Sequence, residues 1–229
     1  MVRNTEDFLV KFENRPFSSN ETFTSAALSA GLSCATAESG TMVDVGCADG
    51  LLLSHFARQR PGWRCIGTDV SAPNVETTSA VVSNLENASA LLLDIMVDLL
   101  PESDVIIANS VFHLVPSPEE ALAVVGRALR AGGSAVISVP DGRRINRWLI
   151  SSRKLLLSLG FGRFLEHPRA RHSSRVDRLA YLTVIPSIDD AGVIRALSSF
   201  GCTPVLVLAM ERTHPLQPGH TLVVLRKAG

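Results

Sequence analysis

The octet Val43-Asp44-Val45-Gly46-Cys47-Ala48-Asp49-Gly50 holds the residue types that a ligand-binding turn needs. An apolar run ends near an acid, and a loop of small residues follows. Small residues let backbone N–H groups approach a bound group closely at a helix N-terminus. Asp69, 25 residues after Asp44, ends the next apolar run. An acid there can accept both hydroxyls of a ribose. Asp94 ends a third run, so acceptors recur where sheets of this kind bind ligands. A dinucleotide fingerprint needs G-x-G-x-x-G. Counted from Gly46 this chain offers Ala48 and then Leu51, so the third glycine fails.

A histidine follows the fourth apolar run. His113 in neutral form can take a proton from a hydroxyl or an amine; as a half-buried loop residue it would only donate to a carbonyl. His167, His172 and Tyr181 are alternatives for the same proton. His214 and His220 fall in a Pro- and Gly-containing loop and are expected to be solvated. His55 sits in a helical pattern and reads as structural.

These groups need strands to carry them. Residues 42–45, 64–68, 90–93, 104–108 and 134–139 are short apolar runs ended by polar or small residues. They are unbroken rather than alternating, which suits parallel strands buried on both faces. Helical patterns lie between them, over 49–60, 73–86 and 117–131. The last begins with Ser117, Pro118 and two acids and stops at Gly132-Gly133, a sound start and a sound stop. Alternating strands and helices imply a doubly wound α/β sheet. Residues 187–200 read as a helix closed by Gly201. The runs 203–210 and 221–225 are too close in sequence for a helical crossover and must pair antiparallel.

The order of motifs resembles class I S-adenosylmethionine-dependent methyltransferases. Gly46-x-Ala48-x-Gly50, two residues after Asp44, is similar to that family's nucleoside loop, with Ala48 at the usual middle glycine. Alanine costs little there at negative φ and more at positive φ. Asp69 and Val70 in the stretch 67–71 look like the ribose site. Asp94-Ile95 looks like the adenine-binding pair, and Asp98 lies close enough to share the role. Asn109 to Leu114 resembles the stretch near the methionine end of the cofactor, and 127–133 the family's "RxLxPGG" element. The resemblance covers about 40–140 and 187–226. It implies one Rossmann-like domain with sheet order 3-2-1-4-5-7-6, S-adenosyl-L-methionine as cofactor and S-adenosyl-L-homocysteine as product. The cofactor residues it implies are Asp44, Gly46, Cys47, Ala48, Gly50, Asp69, Val70, Asp94, Ile95 and Asn109. The alternative is a member of the fold that does not methylate, a partner subunit or a cyclase.

The domain divides into a helical cap over 1–40, a cofactor core over 41–140, a helical insertion over 141–186 and a closing unit over 187–229. Phe8, Leu9, Phe12, Phe17 and Phe23 make the cap a helix packed at the sheet edge or a flap over the pocket. In the insertion Ile145, Trp148, Leu149, Ser152, Leu156 and Leu159 share one helical face. Residues 141–180 hold ten basic and three acidic residues, a net +7, against −7 for the rest of a neutral chain. This is a solvated face or a cationic lid that grips an anionic or carrier-bound substrate through Arg143, Arg144, Arg175 or Arg178; a basic amphipathic helix also allows membrane-surface binding, and RNA is a further reading that the scarce aromatics disfavour.

The 229 residues are 46% apolar and 19% charged, which is globular composition. A neutral chain with few aromatics argues against nucleic acid. No apolar run reaches the length of a membrane span. The polar, acidic start shows no secretory signal. Cys34, Cys47, Cys65 and Cys202 are scattered, which suits neither zinc nor a disulfide framework. A reducing cytoplasm follows, and 3 Lys against 19 Arg points to a GC-rich bacterial genome. The expected enzyme methylates a small molecule, an oxygen ahead of nitrogen or carbon, as a monomer or homodimer without metal.

Overall fold

The computed structural model describes residues 21–141, 152, 159, 188–210 and 219–229. Twelve elements lie in the described residues: α1 (Glu21–Cys34), β1 (Gly40–Val45), α2 (Leu51–Gln59), β2 (Trp63–Asp69), α3 (Ala72–Val82), β3 (Ala88–Leu92), β4 (Ser103–Asn109), α4 (Pro118–Ala128), β5 (Leu129–Pro140), α5 (Asp190–Ser198), β6 (Cys202–Met210) and β7 (His220–Lys227). The strands form one sheet in the order β3-β2-β1-β4-β5-β7-β6. β1 to β5 pair in parallel, and β7 runs antiparallel between β5 and β6. This is the order implied by the motifs. The C-terminal ends of β1, β2, β4 and β5 therefore share one edge of the sheet.

Each strand serves two cores because its side chains alternate between faces. In β4, Val105 and Ile107 join Phe23, Met42, Phe56 and Trp63 beneath α1 and α2. Ile106 and Ala108 join Phe112, Leu122, Val125 and Leu197 beneath α4 and α5. At roughly 1.5–3 kcal/mol for each large apolar side chain buried, these two layers fix the central strands. The N-terminal helix packs across β4 and β5 rather than at the sheet edge, and carries Phe23 with it. Phe8, Leu9, Phe12 and Phe17 lie outside the described residues.

Three expectations need correction. Leu91 and Leu92 of β3 are 42% and 62% exposed, so this strand is not buried on both faces. It is an edge strand with one neighbour. The helix expected to run to Gly132 stops at Ala128, and Leu129 already pairs with Ser103 in the sheet. Lys227 Nζ donates to the carbonyls of Gly126 (2.8 Å) and Leu129 (2.7 Å), taking over the helix end from 98 residues away or more. Leu159, assigned to the apolar face of an insertion helix, is 60% exposed in a turn, whereas Ser152 is helical.

Candidate functional site

The loop after β1 is suspended from β2. Gly46 N and Cys47 N both donate to the Thr68 carbonyl, at 2.7 and 3.0 Å. Gly46 has φ +69°, and a Cβ there would lie 2.5 Å from Val111 Cγ2. Conformation and space therefore both demand glycine. Gly50, at φ +72°, opens α2, and its missing Cβ would press on Thr78. Thr78 Oγ1 donates to the Ala48 carbonyl at 3.0 Å, tying the loop to α3. Ala48 has φ +49°, so its alanine is the costly case: a left-handed conformation held against roughly 1–2 kcal/mol of strain.

Asp69 is what holds that strain. Its Oδ2 accepts from Ala48 N at 3.1 Å and its Oδ1 from Ser71 N at 2.9 Å. The carboxylate is thus aimed by two backbone amides and keeps further lone pairs for a ligand. Asp44, 2% exposed, lies behind the loop, and its Oδ2 has no hydrogen-bond partner. Burial, and after it the charges of Asp69 and Asp49, push its carboxyl up to about 8. Burial also pushes the Cys47 thiol well up, so it is packing rather than a nucleophile. Asp44, Gly46, Cys47, Ala48, Gly50 and Asp69 are brought together as one cradle, with Val70 half-buried beside it.

Asp94 lies next in line, since Leu93 N donates to the Asp69 carbonyl at 3.0 Å. Its Oδ1 accepts from Met96 N at 2.9 Å, and Asp98 Oδ2 accepts from Asp94 N at 2.9 Å. The two acids brace one turn, Asp98 on the exposed side, with Ile95 buried between them. At the end of β4, Asn109 Oδ1 accepts from Ser138 Oγ at 2.6 Å, and Asn109 Nδ2 reaches Thr24 Oγ1 at 3.4 Å. Ser110 then turns at φ +63°, its amide donating to Ser138 Oγ at 2.9 Å. That turn delivers His113, which is 6% exposed with Nδ1 lacking a partner. Burial, and after it the neighbouring His220, push its imidazole down to about 3.

His220 is not solvated: it is the first residue of β7, 4% exposed, with its ring centroid 5.9 Å from that of His113. His55 is exposed on α2. Sequence reasoning also passed over Ser71 Oγ and Asn74 Oδ1, both buried without partners at the start of α3. Ser71 stands at the N-cap of α3, but a capping serine would spend its hydroxyl on the helix, and Ser71 does not. His167, His172, Tyr181, His214, Arg143, Arg144, Arg175 and Arg178 lie outside the described residues. Among the described residues no helix is long and apolar enough to cross a membrane.

Residues 43–135 match a family model described as a methyltransferase domain. A stretch of 75 residues is 35% identical to ribosomal RNA small subunit methyltransferase C of Pseudoalteromonas translucida. That stretch is 32% of this chain and 22% of the relative, so this chain matches about a fifth of the length of the curated relatives it resembles. N-methyltransferase NodS from Bradyrhizobium japonicum, in complex with S-adenosyl-l-homocysteine, aligns over 98% of both chains at TM-score 0.66 and 14% identity. A Burkholderia thailandensis 1,6-didemethyltoxoflavin-N1-methyltransferase aligns over 92% of this chain and 80% of its own at TM-score 0.64, also at 14% identity. The [4+2]-cyclase SpnF aligns over 94% and 85% at TM-score 0.63 and 15% identity. The fold is therefore that of the Rossmann-like methyltransferases, as the motifs implied. That one fold carries both methyl transfer and cyclisation leaves the chemistry to the site.

Proposed function

We propose that this chain is an S-adenosylmethionine-dependent methyltransferase acting on a small molecule. The observation that carries the reading is Asp69, whose carboxylate is fixed by Ala48 N and Ser71 N beside a loop where a Cβ on Gly46 has no room. A nucleoside fits this cradle: ribose hydroxyls on Asp69, adenine against Val70 and Ile95 with Asp94 at its rim, the amino-acid end toward Asp44 and Asn109. Asp44 Oδ2 is a buried oxygen without a hydrogen-bond partner, which the cofactor's amino-acid end or an ordered water would pair. When bound, the cofactor supplies a methyl on a sulfonium, which leaves as a neutral thioether.

The chain's own contribution is alignment. His113 is buried at the exit of β4 and uncharged at neutral pH. One of its nitrogens therefore keeps a lone pair for an O–H or N–H of the acceptor molecule. Its weak proton affinity makes it an orienting group rather than a strong base. The nucleophile that suits such a site is an oxygen already ionised on arrival, so we propose O-methylation of an anionic metabolite. The net +7 of residues 141–180 supports an anion, with Arg143, Arg144, Arg175 and Arg178 as the proposed grip and His172 and Tyr181 as further groups at the acceptor. The 75-residue match to a ribosomal RNA enzyme is too short to carry a substrate.

The test has two stages. Calorimetry with S-adenosyl-L-homocysteine should give binding in the parent protein and weaker binding in Asp69→Ala. Methyl-tritiated cofactor with panels of small carboxylates, phenols and amines should then label an oxygen acceptor. Binding without transfer to any panel would favour a non-methylating role, and labelling confined to amines would overturn the O-methyl assignment.

A further inference from the structure

Three rings from distant parts of the chain meet beside the exit of β4. His113 comes from the turn after that strand. His220 opens β7, where it is paired with Pro140 of β5 and Met210 of β6. Phe23 comes from the first turn of α1. The two imidazoles stand edge to face, with centroids 5.9 Å apart and an interplanar angle of 79°. Phe23 packs against His220 at 4.5 Å and 36°. All three side chains are at least nine-tenths buried.

Strand pairing on both sides fixes the His220 backbone, and Phe23 leaves its ring little freedom. Two imidazoles this close and this dry cannot both be protonated, because each charge would be unsolvated and would repel the other. Asn109, Ser110, Ser138 and Thr24 are uncharged, and so is Met210. Asp141, directly after β5, donates its amide to the Gly219 carbonyl at 2.9 Å, and Asp44 lies on β1, across β4 from β5.

We propose that His220 is a positioning residue for His113: lying edge to face and backed by Phe23, it fixes the imidazole plane and bars a second positive charge from that corner. The inference rests on the methyltransferase reading for its purpose, since the corner is where that reading puts the acceptor molecule. A fixed, uncharged His113 accepts one hydrogen bond from the acceptor in one direction. It thus selects molecules that present an O–H or N–H beside the reacting atom.

The experiment is NMR on the full chain with isotope-labelled histidine and no cofactor, from pH 4 to pH 9. In the parent, ring protons of His113 and His220 should show a through-space contact, and His113 should stay uncharged through most of the range. His220→Phe keeps the packing and removes the charge. It should move the onset of His113 protonation up by about one pH unit, and His220→Gln should do the same. Asp141→Asn should leave that onset below the parent's neutral range. No ring contact in the parent overturns the proposal whatever the variants do. So does a His113 titration that ignores both His220 variants while melting temperature falls, which is the mark of packing alone. Cofactor titration of the same samples separates the two readings: an intact pair in a protein that binds no cofactor removes the methyltransferase reading and leaves the pair standing.

Discussion

Asp44 and His113 are both buried, both carry a polar atom without a partner, and both are largely uncharged at neutral pH. They reach that state from opposite sides. Burial and two neighbouring acids raise the carboxyl of Asp44; burial and a neighbouring imidazole lower His113. The partners differ in kind as well. Asp44 sits with Asp49 and Asp69, supplied by its own loop and the adjacent strand. His113 meets His220 and Phe23, supplied by the two ends of the described chain. The proposed cofactor end of the site is thus built by local sequence, and the proposed acceptor end by long-range packing.

The largest expected effect is at the cofactor end. Gly46→Val puts a branched side chain at φ +69° where Val111 stands. Cofactor binding should be lost while circular dichroism still reports a folded sheet. Normal binding would mean that the loop is not the cradle. Next comes Asp69→Ala, which should weaken binding by roughly 1–3 kcal/mol, the scale for stranding a buried hydrogen-bonded group. An unchanged dissociation constant in calorimetry would take Asp69 out of the site.

Stability against pH should separate the two ends by sign. The folded pKa of Asp44 is raised to about 8 from 3.8. Its contribution is full below the unfolded value and is lost as pH rises through the folded one. Asp44→Asn should therefore flatten the fall in melting temperature of the cofactor-free protein between about pH 4 and pH 8. For His113 the folded value lies near 3, below 6.5. The protein then loses stability as pH falls from 6.5 toward 3, and His113→Phe should reduce that loss. Equal slopes in parent and variants would remove the contrast. The smallest effect belongs to Ala48→Gly, which relieves a left-handed alanine and should stabilise the protein by about 1 kcal/mol; a loss of stability in a melting series would show that the strain is absent.

The cradle was legible because its information is short-range. A strand, a small-residue loop and an acid at the end of the next strand are adjacent in sequence and adjacent in the sheet. Parallel pairing of Asp44 with Gly67 and Val45 with Thr68 then sets Asp69 beside the loop. Sheet order followed from the family resemblance that the motifs carry. Only the tertiary structure decided the rest. His220 read as a loop residue because nothing near it in sequence announces Phe23 or His113. Helix α4 stopped at Ala128 because a lysine at the far end of the chain caps it. Residues 90–93 looked like an interior strand, yet Leu92 of β3 is 62% exposed. Composition reports how apolar a strand is, but the number of its neighbours depends on where the sheet ends. Burial is a property of the company a residue keeps, and that company is drawn from the whole chain.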